Sequence, residues 1–183
     1  MDAREAARLI GPAVRAGGTW ADLGAGRGTF TAALCELLGA RGEVYAVERD
    51  HALIASLERI ARRLTGSGRA PVIVVEADFT KELDLPPLNG ILLANALHFV
   101  PDGDQATLLR RLGGKLVEGG HIVVVEYDDR PPSRWVPYPA SFVRLGELAR
   151  NAQLGQLMEI GRTGSAFGGT MYAAEVVPVD RNH

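Results

Sequence analysis

From residue 2 to residue 14 the apolar side chains recur at helical spacing with charges between them, and Gly17-Gly18 closes the segment. This predicts an N-terminal helix within 1–16. A short strand at 19–23 runs into the glycine turn GAGRG, and 29–38 reads as an apolar helix that stops before Gly39. The run EVYAVE at 43–48 is rich in β-branched and aromatic residues and predicts a buried strand. Asp50 is a natural cap for the next helix, 52–64, which spaces Leu53, Leu57, Ile60 and Leu64 along one face. A strand at PVIVVE follows, then a strand at 90–95, a helix at 105–117, a strand at 121–127 and a helix at 141–154.

Five strands alternating with helices predict an α/β fold, a doubly wound, Rossmann-like parallel sheet with helices on both faces. The last segment breaks the rhythm. Residues 156–161 and 170–177 are both strand-like, and the Gly/Ser/Thr-rich segment between them is too short for a helical crossover. They are therefore expected to pair as a C-terminal antiparallel hairpin, within 156–177, that completes a seven-stranded sheet.

A chain of 183 residues, 46% hydrophobic and 23% charged, suits one globular domain spanning 1–183. The single cysteine, Cys35, forms neither an internal disulfide nor a Cys-based zinc site, which points to a reducing, cytoplasmic setting and no structural metal. With 20 basic against 22 acidic side chains, the chain lacks the concentrated positive charge of a nucleic-acid binder. Nor does any stretch approach the ~20 uninterrupted apolar residues of a membrane span. A small molecule is the expected partner, and the protein is expected as a monomer or homodimer.

In an open α/β sheet the ligand sits beyond the carboxyl ends of the strands, where the strand order reverses. The first turn is DLGAGRG, with Asp22, Gly24, Gly26 and Gly28. Glycines there allow positive φ and a bare backbone, and the following helix offers free N–H donors. Glu48 ends the second strand, where a carboxylate can accept from both hydroxyls of a ribose. Asp78 follows the third strand and is placed to accept from an adenine amine, with Phe79 offering a ring face.

Together these residues resemble the class I S-adenosylmethionine-dependent methyltransferases, over nearly the whole chain from Ala21 to about Val177. DLGAGRG is similar to the family's acidic-x-G-x-G-x-G motif, Glu48 to its ribose-binding acid, and Asp78-Phe79 to its adenine contacts. NALHFV, 95–100, resembles the fourth motif, whose backbone flanks the methionyl part of the cofactor, and is reminiscent of small-molecule enzymes of the quinone-biosynthesis type. The resemblance implies S-adenosylmethionine as cofactor, held by Asp22, Gly24, Ala25, Gly26, Gly28, Glu48, Arg49, Asp78, Phe79, Asn95 and Ala96. A nicotinamide dinucleotide is the rival, but its G-x-G-x-x-G/A fingerprint, counted from Gly24, places Thr29 where the third glycine belongs.

Methyl transfer from a sulfonium needs orientation above all, and a general base only for acceptors that must lose a proton. His98, directly after the fourth strand, is a candidate base, with hydrogen bonding to a backbone group as its alternative role. Tyr127, at the end of the fifth strand, can orient an acceptor through its hydroxyl. The Pro-rich stretch 128–140, with Trp135 and Tyr138, is expected to form an acceptor lid. A module of this fold that binds cofactor or partner without turnover is the competing function.

Overall fold

The computed structural model describes residues 1–64 and 66–178; 179–183, the end of the expected domain, lie outside the described residues. Helix α1 (Ala3–Ile10) starts at a reciprocal cap: Asp2 Oδ1 accepts from the Arg4 and Glu5 amides, and Glu5 Oε2 accepts from the Asp2 amide at 2.8 Å. It is shorter than the periodicity predicts. Pro12 lacks an N–H and clashes with the preceding turn, so the chain passes into a 3₁₀ turn over Gly11–Ala13.

The alternation then runs β1 (Gly18–Leu23), α2 (Thr29–Leu38), β2 (Gly42–Glu48), α3 (His51–Leu64), β3 (Val72–Glu76), β4 (Leu88–Ala94), α4 (Asp102–Gly113) and β5 (Leu116–Tyr127). It closes with α5 (Phe142–Asn151), β6 (Leu157–Gly164) and β7 (Thr170–Val176). The seven strands lie in the order β3-β2-β1-β4-β5-β7-β6, the first five parallel and β7 antiparallel to both β5 and β6. The expected fold class is the one observed.

The boundary between α4 and β5 differs as well. The periodicity carries the fourth helix to Val117 and opens the strand at His121, whereas α4 stops at Gly113 and β5 begins at Leu116. Leu88 pairs with Leu116 but Gly90 pairs with His121, so the β5 side carries extra residues there. Gly119 turns the backbone with φ of 72°, and a Cβ on Gly120 would lie 3.0 Å from the Leu88 and Val117 carbonyl oxygens. Two glycines absorb the excess and let the strand resume in register.

Sheet residues pack on both faces. One cluster joins β-strand side chains such as Ile91, Leu93 and Val124 to α4 and α5, and the other joins Trp20, Leu92, Val123 and Val125 to α1 and α2. Strands buried on both sides explain the nearly unbroken apolar runs GILLA and HIVVV. The strand order reverses between β1 and β4, which opens a crevice at their carboxyl ends. No helix among the described residues is long and apolar enough to cross a membrane.

Candidate active site

At the end of β1 the chain folds back on β2: the amides of Gly24 and Ala25 both donate to the Val47 carbonyl, at 2.9 and 3.0 Å. Gly24 has φ of 75°, and a Cβ there would meet Ala96 Cβ at 3.0 Å and the Phe79 ring at 3.3 Å. The turn is thus pinched between β4 and the segment after β3. Gly28, φ 81°, caps α2 and lies against α3, where a Cβ would fall 2.5 Å from Ile60 Cδ1. Gly26 differs, since a Cβ there would meet nothing nearer than the Gly24 carbonyl oxygen at 3.9 Å. Its bare face belongs to the cavity.

Glu48 ties the two turns together. Its Oε2 accepts from the Gly26 amide at 2.8 Å, and its Oε1 accepts from the amides of Arg49 and Asp50 at 2.8 and 2.9 Å. A carboxylate has roughly four acceptor sites, so one remains on Oε2 for an incoming hydroxyl. Asp22, 1% exposed, lies beneath the turn and accepts from the Thr31 hydroxyl at 2.6 Å. Burial pushes its carboxyl up to about 6, against the lowering effect of the Thr31 hydrogen bond, and the nearby Glu48 charge adds to the rise.

A cavity of about 890 Å³ occupies the crevice, within the roughly 300–1,000 Å³ of small-molecule sites. Among the sequence-predicted residues, Gly24, Ala25, Gly26, Glu48, Arg49, Phe79, Asn95, Ala96 and Tyr127 line it. Asp22, Gly28, Asp78 and His98 do not, and of these Asp22 and His98 are buried. Asp78 Oδ1 accepts from the Thr80 amide and hydroxyl at 2.9 and 2.7 Å, and Arg49 lies 3.7 Å from its other oxygen. Partial burial raises the Asp78 carboxyl, but the two Thr80 bonds and Arg49 outweigh it and hold the group below its ordinary value. Asp78 therefore fixes the segment that presents Phe79 and Thr80.

Asn95 is one of two non-glycine residues with positive φ among the described residues, at 52°. Its amide donates to the Val125 carbonyl at 2.8 Å, while its side-chain Oδ1 is buried without a hydrogen-bond partner at the cavity wall. A left-handed backbone and a buried acceptor without a partner make Asn95 a candidate ligand contact. Beside it, His98 is 2% exposed, with Nδ1 2.6 Å from Glu126 Oε2 and its amide donating to Glu126 Oε1 at 3.2 Å. An ionised carboxylate only accepts, which places the proton on Nδ1. The imidazole lies 4.4 Å from the Phe99 ring and 6.2 Å from Tyr127, both wall residues.

The wall also holds residues that were not among the expected site residues. Phe99, Phe30 and Leu53 line it, as does the turn joining β6 to β7, from Thr163 to Phe167. No residue of 128–140 does, although Asp129 and Arg130 hold that turn in place. The one available signal was the aromatic in SAFGG, a large apolar residue in a glycine-rich turn.

These features suit an adenosyl amino acid. Gly26 keeps the wall bare, Glu48 has an acceptor site that suits a ribose hydroxyl, and Asn95 Oδ1 is an acceptor that suits a donor such as an α-ammonium group. The comparisons agree. The family described as "Methyltransferase domain" matches residues 21–120, just over half of the chain. No curated protein matches. The fold is shared with a methyltransferase of Aquifex aeolicus dependent on S-adenosylmethionine, at 18% identity and TM-score 0.73 over 97% of this chain and 90% of that one. The Burkholderia thailandensis 1,6-didemethyltoxoflavin-N1-methyltransferase, with 1,6-didemethyltoxoflavin and S-adenosylhomocysteine bound, gives 20% identity and TM-score 0.70, covering 96% of this chain and 78% of that one. An O-methyltransferase of neocarzinostatin biosynthesis, in complex with S-adenosylhomocysteine and 1,4-dihydroxy-2-naphthoic acid, gives 23% and 0.68, and this chain spans about half of its length, 52%. With its glycine turn pinned to β2, its carboxylate clamp and its match to the family over β1 to β5, the chain belongs to the class I methyltransferases, whose cofactor is S-adenosylmethionine.

Proposed function

We propose that this chain is an enzyme that methylates a small-molecule acceptor, with Tyr127 orienting the acceptor and His98 taking its proton. The observation that carries the reading is the continuity of the cavity, which runs from Gly24–Gly26 and Glu48 past Asn95 to Tyr127 and the 163–167 turn. A second molecule has room beside the cofactor. A module that binds without turnover needs no such extension. Relatives in complex with 1,6-didemethyltoxoflavin and 1,4-dihydroxy-2-naphthoic acid support an acceptor of that size.

When bound, the cofactor supplies an electrophilic methyl carbon for in-line displacement. The residues of this chain supply orientation, exclusion of water and a destination for the proton. Glu48, Phe79 and Asn95 hold the adenosyl amino acid. Glu126 keeps the proton of His98 on Nδ1, so the lone pair on Nε2 is free to accept. His98 is buried against Phe99, which is half exposed, so its role as a base requires the Phe99 ring to move aside.

Calorimetric titration with S-adenosylmethionine, S-adenosylhomocysteine and NAD, on wild type and Glu48→Ala, tests the cofactor half. Micromolar binding of the two adenosyl ligands, weakened at least tenfold in the variant, with NAD silent, is expected. Transfer of labelled methyl to a panel of small acceptors tests the other half. Folded protein that binds no adenosyl ligand overturns the reading.

A further inference from the structure

The two halves of the cavity differ in chemistry. The half built from β1, β2 and β3 presents Arg27, Glu48, Arg49 and Asp50, whereas none of the lining residues from β4, β5, β6, β7 and their connections is charged. That second half instead presents Phe99, Tyr127, Phe167 and Met171. Phe167 is 82% exposed and Phe99 50% exposed, an unfavourable display for large rings unless a ligand covers them. Two further charges line the cavity from the start of the chain, the Met1 α-ammonium group and Glu5 of α1, and they lie 3.8 Å apart as an ion pair.

Phe167 is held out by construction. It sits in the β6–β7 turn, where Gly168 and Gly169 both take positive φ, 83° and 78°. From the segment after β5, Arg130 donates to the Gly168 carbonyl through Nε and Nη2, at 3.2 and 2.9 Å, and Nη2 also contacts the Phe167 carbonyl oxygen. The guanidinium lies 4.4 Å from the centre of the Tyr127 ring. Asp129 Oδ1 accepts from the Thr170 amide at 2.9 Å and closes the base of the turn. One arginine thus couples two aromatic wall residues, Tyr127 by its ring and Phe167 by its backbone.

Resting on the methyl-transfer reading above, we propose that this half is the acceptor subsite, that it selects an uncharged planar aromatic molecule, and that Phe167 and Arg130 determine the selection. Phe167 stacks on the ring of the acceptor; Arg130 is a positioning residue that holds the turn carrying Phe167. An anionic acceptor would meet no charged lining side chain on this half, and the nearby Arg130 guanidinium is already committed to the Phe167 and Gly168 carbonyls and the Tyr127 ring, which disfavours it. A saturated acceptor of the same size gains burial but no ring stacking.

The test uses three probes of one size: 2-naphthol, its decahydro analogue and 2-naphthoate. Their affinities are measured by calorimetry, with and without saturating S-adenosylhomocysteine. Wild type is expected to bind 2-naphthol at least fivefold more tightly than either of the others. Phe167→Ala should weaken 2-naphthol about fivefold to tenfold and abolish the preference over the saturated analogue, an effect of the size of one aromatic pair. Phe167→Trp should restore it and Phe167→Leu should not. Arg130→Ala should lower the same ratio while S-adenosylhomocysteine affinity stays within about twofold. Equal affinities for the three probes, or a preference untouched in Phe167→Ala, overturn the proposal. Failure of wild type to bind S-adenosylhomocysteine overturns the methyl-transfer reading instead, and the ring preference is then decided by the titrations made without it.

Discussion

Glu126 holds His98 at two points, the imidazole Nδ1 at 2.6 Å and the backbone amide at 3.2 Å, and both residues are buried. Replacing Glu126 by Gln keeps the volume but offers a donor as well as an acceptor. One arrangement lets the amide oxygen take the His98 backbone N–H while the amide nitrogen donates to Nδ1, which moves the ring proton to Nε2. The imidazole then presents a donor where a base is needed. Glu126→Gln should lower kcat by roughly 10²-fold, the share of a general base, and leave S-adenosylmethionine affinity unchanged. Steady-state kinetics with calorimetry decide it; an unchanged kcat removes His98 from the reaction.

The three glycines of the first turn should separate stability from binding. Gly28→Ala combines a left-handed backbone with a clash against Ile60, so a loss of roughly 2–4 kcal/mol is expected. Gly24→Ala meets Ala96 and Phe79 more gently and should cost less while displacing the Phe79 ring. At Gly26 the space is open, so alanine should cost only about 1 kcal/mol but weaken the cofactor strongly. Urea unfolding beside titration gives both orders; a Gly26→Ala variant that binds normally would place the cofactor elsewhere.

Asp22 makes stability depend on pH with a definite sign. Its carboxyl titrates at about 6 in the folded chain and near 3.9 when unfolded. Between those values the folded state binds more protons, so the contribution of Asp22 to stability falls as pH rises from about 4 to about 6 and is flat above. Asp22→Asn does not titrate. Its stability relative to wild type should therefore improve across that window, by on the order of 2–3 kcal/mol, whatever constant offset the amide adds. Unfolding midpoints at pH 4, 5, 6 and 7.5 measure this, and a difference that does not vary with pH contradicts the assignment.

Cys35 is fully buried on α2, and burial, with the nearby Asp22 charge, pushes its thiol up to about 12. Thiol reagents at pH 8 should modify it only through opening of the fold. Its labelling rate should rise with urea in step with global unfolding. Rapid labelling of native protein would show that α2 opens locally against β1.

Much of this protein was legible in the order of its residues. The apolar runs of β1, β2, β4 and β5 show strands buried on both faces, and the short gap before Thr170 permits only an antiparallel return. The glycine turn and Glu48 were readable because a bare backbone and an acid at a strand end have few other uses. The same logic overreached at residue 117, where a helical spacing continued through Gly113 and Gly114, which in the fold end the helix and lead into β5 at Leu116.

Tertiary structure decided which of those residues line the cavity. Asp22 and Asp78 belong to the recognisable pattern, yet neither lines the cavity, and each accepts from a threonine, Asp22 from Thr31 and Asp78 from Thr80. Phe99 and Phe167 line the cavity although neither belongs to a spacing that local periodicity can reveal. The physical reason is that periodicity and turn chemistry act over a few residues, whereas a cavity is made by distant segments. Arg130 holds a turn 37 and 38 residues away, and Glu126 holds an imidazole 28 residues away, through bonds that exist only once the sheet is assembled.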